Sequence, residues 1–271
     1  MAQAPLQLLG IIAGNGVYPR ILADSARKAG VGKIIAAAFT GETDPSINKH
    51  VDLVEWLRVG QLGRLLKFFH GQKIHHAIMA GQIAPKNLFD LRPDVKAVVV
   101  LAKLKERNAE SIFAAIADEL AKVDVDLMPA TSFLEDQLAP KGLIAGAKLS
   151  RREEEDVDFG RQIAKEMARL DIGQTVIVKN GTVLAVEAFE GTNDAIKRGG
   201  NLARKEAIMV KVAKPTQDMR FDVPVIGVET IKLAAEAKLR VIAVEAGATL
   251  LLERDKIADL ANRAKISIVA R

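Results

Sequence analysis

Apolar runs of strand length alternate with amphipathic stretches along most of the chain, and this pattern predicts an α/β fold. The apolar run 6–14 leads into Gly14-Asn15-Gly16, which is followed by a helical pattern that extends to about Lys28. A strand, a glycine turn and a helix form the opening unit of a doubly wound domain. We therefore predict a Rossmann-like first domain, in which Gly14 and Gly16 let a ligand approach the backbone closely.

The same alternation continues through the first half of the chain. Apolar runs at 33–40, 51–57 and 75–81 are hydrophobic at most positions, as are strands of a parallel sheet that is covered on both faces. A further strand is expected at 125–134. These runs predict a mostly parallel sheet in a first domain of residues 1–135.

A linker and a second domain are predicted downstream. Residues 136–149 contain Pro140, Gly142 and Gly146 between two patterned regions, and such residues punctuate secondary structure. The second domain, residues 150–271, is predicted to be α/β with a mixed sheet. We expect a ligand cleft between the two domains.

Local signals define the first half of the second domain. Ser150 precedes a helical stretch, and the acidic run 153–156 suits the positive end of a helix. Because consecutive helical residues fan around the axis, we interpret this run as a solvated first turn. Asn180-Gly181 separates two β-rich runs and predicts a type I′ hairpin. The returning strand then delivers Glu187 and Glu190 to the segment with the densest polar chemistry.

The composition excludes several classes of protein. The 271 residues are 49% hydrophobic and 27% charged, and the absence of cysteine excludes disulfides and thiolate metal sites. The amino terminus lacks the basic region of a signal peptide, and no run approaches the ~18 apolar residues of a membrane span. We therefore expect a cytoplasmic protein. An aromatic content of 4% and the lack of a binding signature argue against nucleic acid as a partner.

The excess positive charge is concentrated in one segment. Residues 194–220 contain seven basic and three acidic side chains, a net charge of +4, whereas the whole chain carries +5. Gly191 followed by Thr192 is a helix-start signal, and the N–H groups of a helix start, with Arg198 one turn on, form an anion site. Simple capping is the alternative, but the charge favours an anionic ligand.

Two lysines mark the strand that follows. Lys211 lies at the centre of the apolar run 208–214, and Lys214 ends it. A lysine inside such a strand is costly unless it is paired. Lys211 is therefore expected to meet either a phosphate or the carboxylate of an internal ion pair.

The segment 217–224 alternates charged and apolar side chains. As an extended strand it places Asp218, Arg220 and Asp222 on one face, and Pro224 ends it. Two carboxylates with a guanidinium between them suit Mg²⁺ together with a phosphate, because Mg²⁺ takes one or two carboxylates and completes its shell with water and phosphate oxygens. A surface ladder of ion pairs is the alternative.

A family resemblance rests on three stretches in the same order over nearly the full length: IIAGNGVYP, VEAFEGTNDAIKRGG and VKVAKPTQDMRFDVPVIG. They resemble the Mg²⁺-dependent UDP-2,3-diacylglucosamine pyrophosphohydrolases of lipid A biosynthesis, the LpxI family. The resemblance implies hydrolysis of the pyrophosphate to UMP and 2,3-diacylglucosamine 1-phosphate, with water attacking the sugar-side phosphorus. Asn193 stands where the family pattern has an acidic residue, which leaves Asp194 and Asp222 as the better carboxylate candidates.

The resemblance and the local chemistry together define the candidate site. Asp222, Asp194 and Lys211 are the expected catalytic residues, and Asp222 and Asp218 are the expected Mg²⁺ ligands. Polar residues beyond the carboxyl ends of strands are candidates for nucleotide contacts, because open α/β sheets bind ligands there. The substrate-binding candidates are Gly14, Asn15, Gly16, Gln61, Gln82, Thr131, Thr192, Arg198, Lys214, Gln217 and Arg220.

A diacylated UDP-sugar substrate implies contact with a membrane. We expect basic residues to mediate transient docking to the cytoplasmic face of the inner membrane. The oligomeric state stays open, with a homodimer as one alternative. Two other functions stay open as well: a non-catalytic nucleotide-sugar binding protein, and a nicotinamide-dependent oxidoreductase, which is weakened because Pro19 replaces the third glycine of the dinucleotide pattern.

Overall fold

The computed structural model divides the chain into two compact units. The first unit extends to Leu134 and also contains Met219–Asp222, and the second contains Glu135–Asp218 and Val223–Arg271. The structure describes residues 6–83, 93–105, 108–215 and 217–271.

The first unit is built on a parallel five-stranded sheet. Its strands are β1 (Leu8–Ala13), β2 (Lys33–Phe39), β3 (Leu53–Leu57), β4 (His76–Ala80) and β5 (Asp126–Leu127). They lie in the order β3-β2-β1-β4-β5, so the topological switch point falls between β1 and β4. The mostly parallel sheet predicted from the apolar runs is confirmed.

The last strand of this sheet is shorter than the predicted run 125–134. It ends at Leu127, and the chain turns at residues 130–133. Pro129 explains the early end, because proline cannot donate a hydrogen bond to a sheet ladder.

Helices pack on this sheet. They are α1 (Tyr18–Lys28), α2 (Leu62–Gly71), α3 (Val95–Lys103) and α4 (Ala109–Ala121), with a 3-10 helix at Pro45–Lys49. Phe69 of α2 and Leu120 of α4 are fully buried and pack in one cluster with Ile35 and Ala77 of the strands. The apolar side chains of the helices thus pack against those of the strands and complete the core of the first unit.

The second unit contains a six-stranded mixed sheet, as predicted, and a separate pair of short strands. The strands of the larger sheet are β6 (Gly142–Ala145), β7 (Thr175–Lys179), β8 (Thr182–Val186), β9 (Ala207–Lys211), β11 (Leu239–Val244) and β13 (Ser267–Ala270), and the pair is β10 (Val225–Ile226) with β12 (Leu250–Leu251). The order is β6-β13-β11-β9-β7-β8. Strands β9, β11 and β13 are parallel, whereas β6, β7 and β8 run antiparallel to their neighbours.

Helices cover both faces of the larger sheet. They are α5 (Arg151–Arg169), α6 (Thr192–Ala203), α7 (Val228–Glu236) and α8 (Arg254–Arg263). Val178 packs with Val157 of α5, whereas its neighbour Ile177 packs with Ile196 of α6. Because successive strand residues face opposite sides, one apolar run serves both cores. Across the described ranges, no helix is both long enough and apolar enough to cross a membrane.

The stretch 136–149, expected to be a linker, takes part in the second unit. Strand β6 lies within it and pairs with β13. The N–H of Ala139 donates to the carbonyl of Thr249, and its carbonyl accepts from the N–H of Gly247, both at 2.9 Å. The proline and glycines of this stretch therefore mark turns around a short edge strand rather than a free connection.

The Asn180-Gly181 turn is the predicted hairpin. Asn180 and Gly181 have φ values of 53° and 72°, and positive φ at both central residues is the requirement of a type I′ turn. The carboxylate of Asp156, which is 6% exposed, accepts the N–H groups of Asn180 at 2.8 Å and Gly181 at 2.7 Å. The interpretation of the acidic run as fully solvated is thus wrong for Asp156, because its carboxylate holds this turn.

Two glycines interlock at the carboxyl ends of β1 and β4. A Cβ on Gly14 would lie 2.6 Å from the carbonyl oxygen of Gln82, and one on Gly81 would lie 2.5 Å from that of Asn15. The N–H of Asn15 donates to the carbonyl of Gln82 at 2.7 Å. The close approach at Gly14 is therefore made by the chain itself.

Replacing Gly14 by alanine is expected to lower the free energy of unfolding by about 1–3 kcal/mol, because the new methyl group overlaps backbone atoms that cannot rotate away. Denaturant unfolding curves measure this loss. Gly71→Ala is the matched control, since nothing lies within 4 Å of an added Cβ there and alanine suits a helix better than glycine. Equal stability of the two variants would contradict the close approach.

Candidate active site

The segment 217–224 does not form the strand that its alternation predicts. The chain turns at residues 219–221 and is irregular on both sides. Asp218, Arg220 and Asp222 therefore do not share one face of a sheet. The strand prediction is wrong because tertiary contacts, rather than a ladder of hydrogen bonds, hold this segment.

Contacts within the first unit anchor this turn. The N–H of Ala130 donates to the carbonyl of Met219 at 2.7 Å, and the hydroxyl of Tyr18 donates to the carbonyl of Ala130. The rings of Phe221 and Phe113 pack with their centroids 5.8 Å apart. Burial raises the pKa of Tyr18, so its hydroxyl keeps the proton that it donates. The turn is thus fixed by two hydrogen bonds in series and one aromatic contact.

Four of the predicted binding residues meet at the switch point of the first unit. Asn15 and Gln82 form an antiparallel bridge between the ends of β1 and β4, and Gly14 and Gly16 flank Asn15. Gly16 has a φ of +90°, and an added Cβ there would meet nothing within 4 Å. Its backbone is therefore open at the position where α/β sheets bind ligands.

Gln61 and Thr131 lie elsewhere in the first unit. Oε1 of Gln61 accepts the N–H of Arg58 at 2.8 Å, directly before α2. Thr131 lies in the turn after β5, where its carbonyl accepts the N–H of Leu134 at 2.9 Å. Gln61 thus closes its own loop, and Thr131 directly follows Ala130, which anchors residues 219–221.

A buried polar cluster, the Lys211 cluster, lies at the carboxyl end of β9 and consists of Lys211, Thr192, Glu187 and Thr175. Lys211 is 5% exposed and Glu187 is 8% exposed. The ammonium of Lys211 donates to the hydroxyl of Thr192 at 2.8 Å, which donates to Oε1 of Glu187 at 2.7 Å. The hydroxyl oxygens of Thr175 and Thr192 are 3.5 Å apart. The predicted Lys211 and Thr192 are therefore in contact.

The two charges of the Lys211 cluster do not contact each other directly. Within the described part of the chain Lys211 forms no ion pair, and the Thr192 hydroxyl is its hydrogen-bond partner. Oε2 of Glu187 is buried and accepts no hydrogen bond from any described residue. An unsatisfied buried acceptor costs about 1–3 kcal/mol, so this oxygen suits a donor or a cation rather than an anion. An anion is suited instead by the ammonium of Lys211 and by the first N–H groups of helix α6, which begins at Thr192. This arrangement can bind an anionic group at Lys211.

Asp194 and Arg198 lie on the exposed side of α6. Asp194 pairs with Lys197 at 3.1 Å, and its side chain is 61% exposed. Arg198 pairs with Glu190 and donates to the carbonyl of Val186 at 2.7 Å. The structure therefore does not bring Asp194 into the buried cluster, and Arg198 ties α6 to the end of β8.

Lys214 and Gln217 form a turn after β9. Oε1 of Gln217 accepts the N–H of Lys214 at 2.9 Å, and the N–H of Gln217 donates to the carbonyl of Lys214 at 3.3 Å. The ammonium of Lys214 pairs with Asp171 at 2.5 Å. Lys214 is therefore positioned by a carboxylate, unlike Lys211.

An ion pair fixes the chain between Lys211 and Lys214. Lys165 donates to the two carboxylate oxygens of Glu245 at 2.8 and 2.6 Å and to the carbonyl of Ala213 at 3.0 Å. Glu245 in turn accepts the N–H of Ala213 at 2.7 Å. One ion pair thus satisfies both backbone polar groups of Ala213 and holds the segment between the two lysines.

Three residues of this region are not among the sequence-derived candidates. Glu187 carries a detectable signal, a carboxylate at the end of an apolar strand directly before a helix start. Lys165 and Glu245 carry none, because 80 residues separate them and neither neighbourhood is unusual in sequence. Such a contact follows only from the fold.

The carboxyl group of Glu190, which pairs with Arg198 of α6, has a shifted pKa. Burial by itself would raise its pKa, but hydrogen bonds from its own N–H and from Arg198 hold the pKa below the ordinary value. A carboxyl whose folded-state pKa is lowered adds stability above its unfolded pKa, and that stability is lost as pH falls through the folded value.

Glu190→Gln is therefore expected to lower the free energy of unfolding near neutral pH by less than about 1 kcal/mol, since the pair is partly solvated. The difference from the parent should shrink as pH falls below about 4. Unfolding curves at several pH values measure it. In an Arg198→Gln background the substitution should matter less, and a difference that stays constant with pH would contradict this account.

Comparison with known proteins covers almost the whole chain. Residues 8–137 match the LpxI N-terminal domain, and residues 140–269 match the LpxI C-terminal domain. A curated protein from Caulobacter vibrioides, named UDP-2,3-diacylglucosamine pyrophosphatase LpxI, is 29% identical over 263 residues. That alignment covers 93% of this chain and 93% of the relative.

Proposed function

The chain belongs to the LpxI family, and from this premise we propose that it hydrolyses the pyrophosphate of UDP-2,3-diacylglucosamine to UMP and 2,3-diacylglucosamine 1-phosphate. The relative from Caulobacter vibrioides is named a pyrophosphatase of this substrate. In this chain the proposal is carried by the buried ammonium of Lys211, which forms no ion pair within the described residues. A substrate phosphate would pair directly with this ammonium, which Glu187 reaches only through the Thr192 hydroxyl.

The residues suit the chemistry of this reaction. Water forms a bond to the sugar-side phosphorus, the bridging P–O bond breaks, and UMP leaves with the electron pair. Such a reaction depends mainly on positioning and on neutralising the charge of the phosphate oxygens. Lys211 is held by Thr192 before substrate arrives, and a buried cation acts strongly because the surrounding dielectric is low.

The nucleotide part of the substrate is assigned to the switch point of the first unit. The strand order and the open backbone at Gly16 support this assignment. The other candidates for substrate binding stay proposals, namely Gly14, Asn15, Gln61, Gln82, Thr131, Thr192, Arg198, Lys214, Gln217 and Arg220. Asp194, which is exposed and pairs with Lys197, stays a proposed catalytic carboxylate.

Mg²⁺ is the proposed cofactor, with Asp222 and Asp218 as its ligands. The described residues contain no group of three or more His, Cys, Asp or Glu side chains suited to a metal. Mg²⁺ needs no such group, because one or two carboxylates suffice when water and phosphate complete the shell. The chain turns between the two aspartates, and carboxylates are ligands that Mg²⁺ takes, which supports the proposal. When bound, Mg²⁺ would neutralise charge on the phosphate oxygens.

We assign the protein to the cytoplasm, with transient contact to the inner membrane, because a diacylated substrate resides in a bilayer. A homodimer is the alternative to a monomer, and no contact described above depends on it. Asp222 is the proposed essential carboxylate, either as a metal ligand or as the base that orients water.

Release of UMP from UDP-2,3-diacylglucosamine tests this function. Asp222→Asn and Lys211→Met are each expected to lower kcat by about 10²-fold or more, which is ~2.7 kcal/mol of barrier. EDTA should abolish turnover and added Mg²⁺ should restore it. Chromatographic quantification of UMP measures each rate.

Lys232→Met is the matched control, because Lys232 is an exposed lysine of α7 that pairs with Glu229, and its turnover should equal that of the parent. Lys211→Arg, which keeps the positive charge, should retain part of the activity, and thermal unfolding shows whether each variant folds. A rate of UMP release that EDTA does not change would contradict the Mg²⁺ site. A folded parent that releases no UMP would instead favour a nucleotide-sugar binding protein.

A further inference from the structure

An exposed apolar stripe runs along α3 of the first unit. Val95, Val98 and Val99 are 81%, 50% and 46% exposed, and their spacing places them on one face of the helix, which exposed Ala102 continues. We call these four residues the α3 stripe. Elsewhere in the described chain, large apolar side chains are exposed singly or in pairs, so three on one short helix form a patch that calls for a partner.

The inner side of α3 is firmly attached to the first unit. The carboxylate of Asp94 accepts the N–H of Ala97 at 2.9 Å and the N–H of Gly63 in α2 at 2.7 Å. Ala97 is buried, and Lys96 pairs with Glu119 of α4 at 2.5 Å. The helix therefore already has its core-facing side, and the stripe is its outward side.

The surroundings of the α3 stripe are basic. Residues 95–105 contain three lysines and no acidic side chain, and of these Lys96 is paired with Glu119. Lys103 and Lys105 are exposed, and within the described residues neither forms an ion pair. A second copy of the chain would bring the same positive charge to this face and be repelled. Anionic headgroups above a hydrocarbon layer complement both its charge and its apolar surface.

We propose that the α3 stripe is the surface by which this protein docks on an anionic lipid bilayer. The valines enter the boundary between headgroups and acyl chains, and Lys103 and Lys105 lie against lipid phosphates. This inference deepens the proposed function and rests on it, because a diacylated substrate is presented at such a surface. So short a stripe gives weak and reversible binding.

Flotation with lipid vesicles tests the docking surface without any substrate. The parent should bind vesicles of phosphatidylglycerol and phosphatidylcholine more strongly than vesicles of phosphatidylcholine alone, and added salt should weaken that binding. The triple variant Val95→Ser/Val98→Ser/Val99→Ser should lower partitioning about tenfold or more. Its folding should be preserved, because all three side chains are exposed.

Two further variants separate the apolar and the electrostatic contributions. Lys103→Ala/Lys105→Ala should lower partitioning to anionic vesicles about tenfold and leave partitioning to neutral vesicles unchanged. The matched control Leu143→Ser/Leu170→Ser/Ile172→Ser removes three exposed apolar side chains of the second unit, which are 51%, 58% and 47% exposed. It should bind as the parent does.

Undiminished binding by the valine variant, or an equal loss in the control, would overturn the proposal. A dimeric parent that becomes monomeric in the valine variant, as measured by light scattering, would assign the stripe to a second copy and also overturn it. UMP release in detergent solution without vesicle binding would remove the docking surface and leave the proposed hydrolase intact. Vesicle binding without UMP release would remove the proposed hydrolase function and leave the docking surface intact.

Discussion

The buried ammonium of Lys211 is the constraint on which the polar chemistry of the second unit depends. A charge at the end of an apolar strand is tolerated only if neighbouring groups compensate it. The group nearest to the ammonium is the hydroxyl of Thr192, which donates its own hydrogen bond to Glu187. The ammonium and the carboxylate of Glu187 thus meet only through this hydroxyl, and within the described residues Lys211 has no direct ion pair. A site ordered in this way can accept an anion at Lys211 without rearranging.

The segment after Lys211 is fixed by contacts of a different kind. Lys165 and Glu245 satisfy the N–H and the carbonyl of Ala213, and Asp171 pairs with Lys214. These carboxylates neutralise the lysines around the site and leave Lys211 as the cation without an ion pair in this cluster.

In the first unit, backbone contacts fix the position of the candidate binding residues. Gly14 and Gly81 allow two neighbouring strand ends to approach closely, and the Asn15–Gln82 bridge then closes the end of the sheet. Tyr18, directly beyond this turn, holds Ala130, and Ala130 holds Met219. The glycine turn of the opening strand and the turn before Asp222 are therefore connected through hydrogen bonds of one unit.

The sequence by itself determined the two α/β halves, because strand and helix periodicities are local and each apolar run carries its own signal. It also determined the type I′ hairpin at Asn180-Gly181 and the family, because turn chemistry and the KPTQDMRFDVP stretch are read from adjacent residues. Contacts between distant residues were decided by tertiary structure alone. The segment 217–224 alternates like a strand, yet an aromatic contact and a backbone hydrogen bond bend it into a turn. The pairing of Lys165 with Glu245, the isolation of Lys211 and the outward face of α3 likewise depend on which side chains the fold brings together, and no local pattern encodes that.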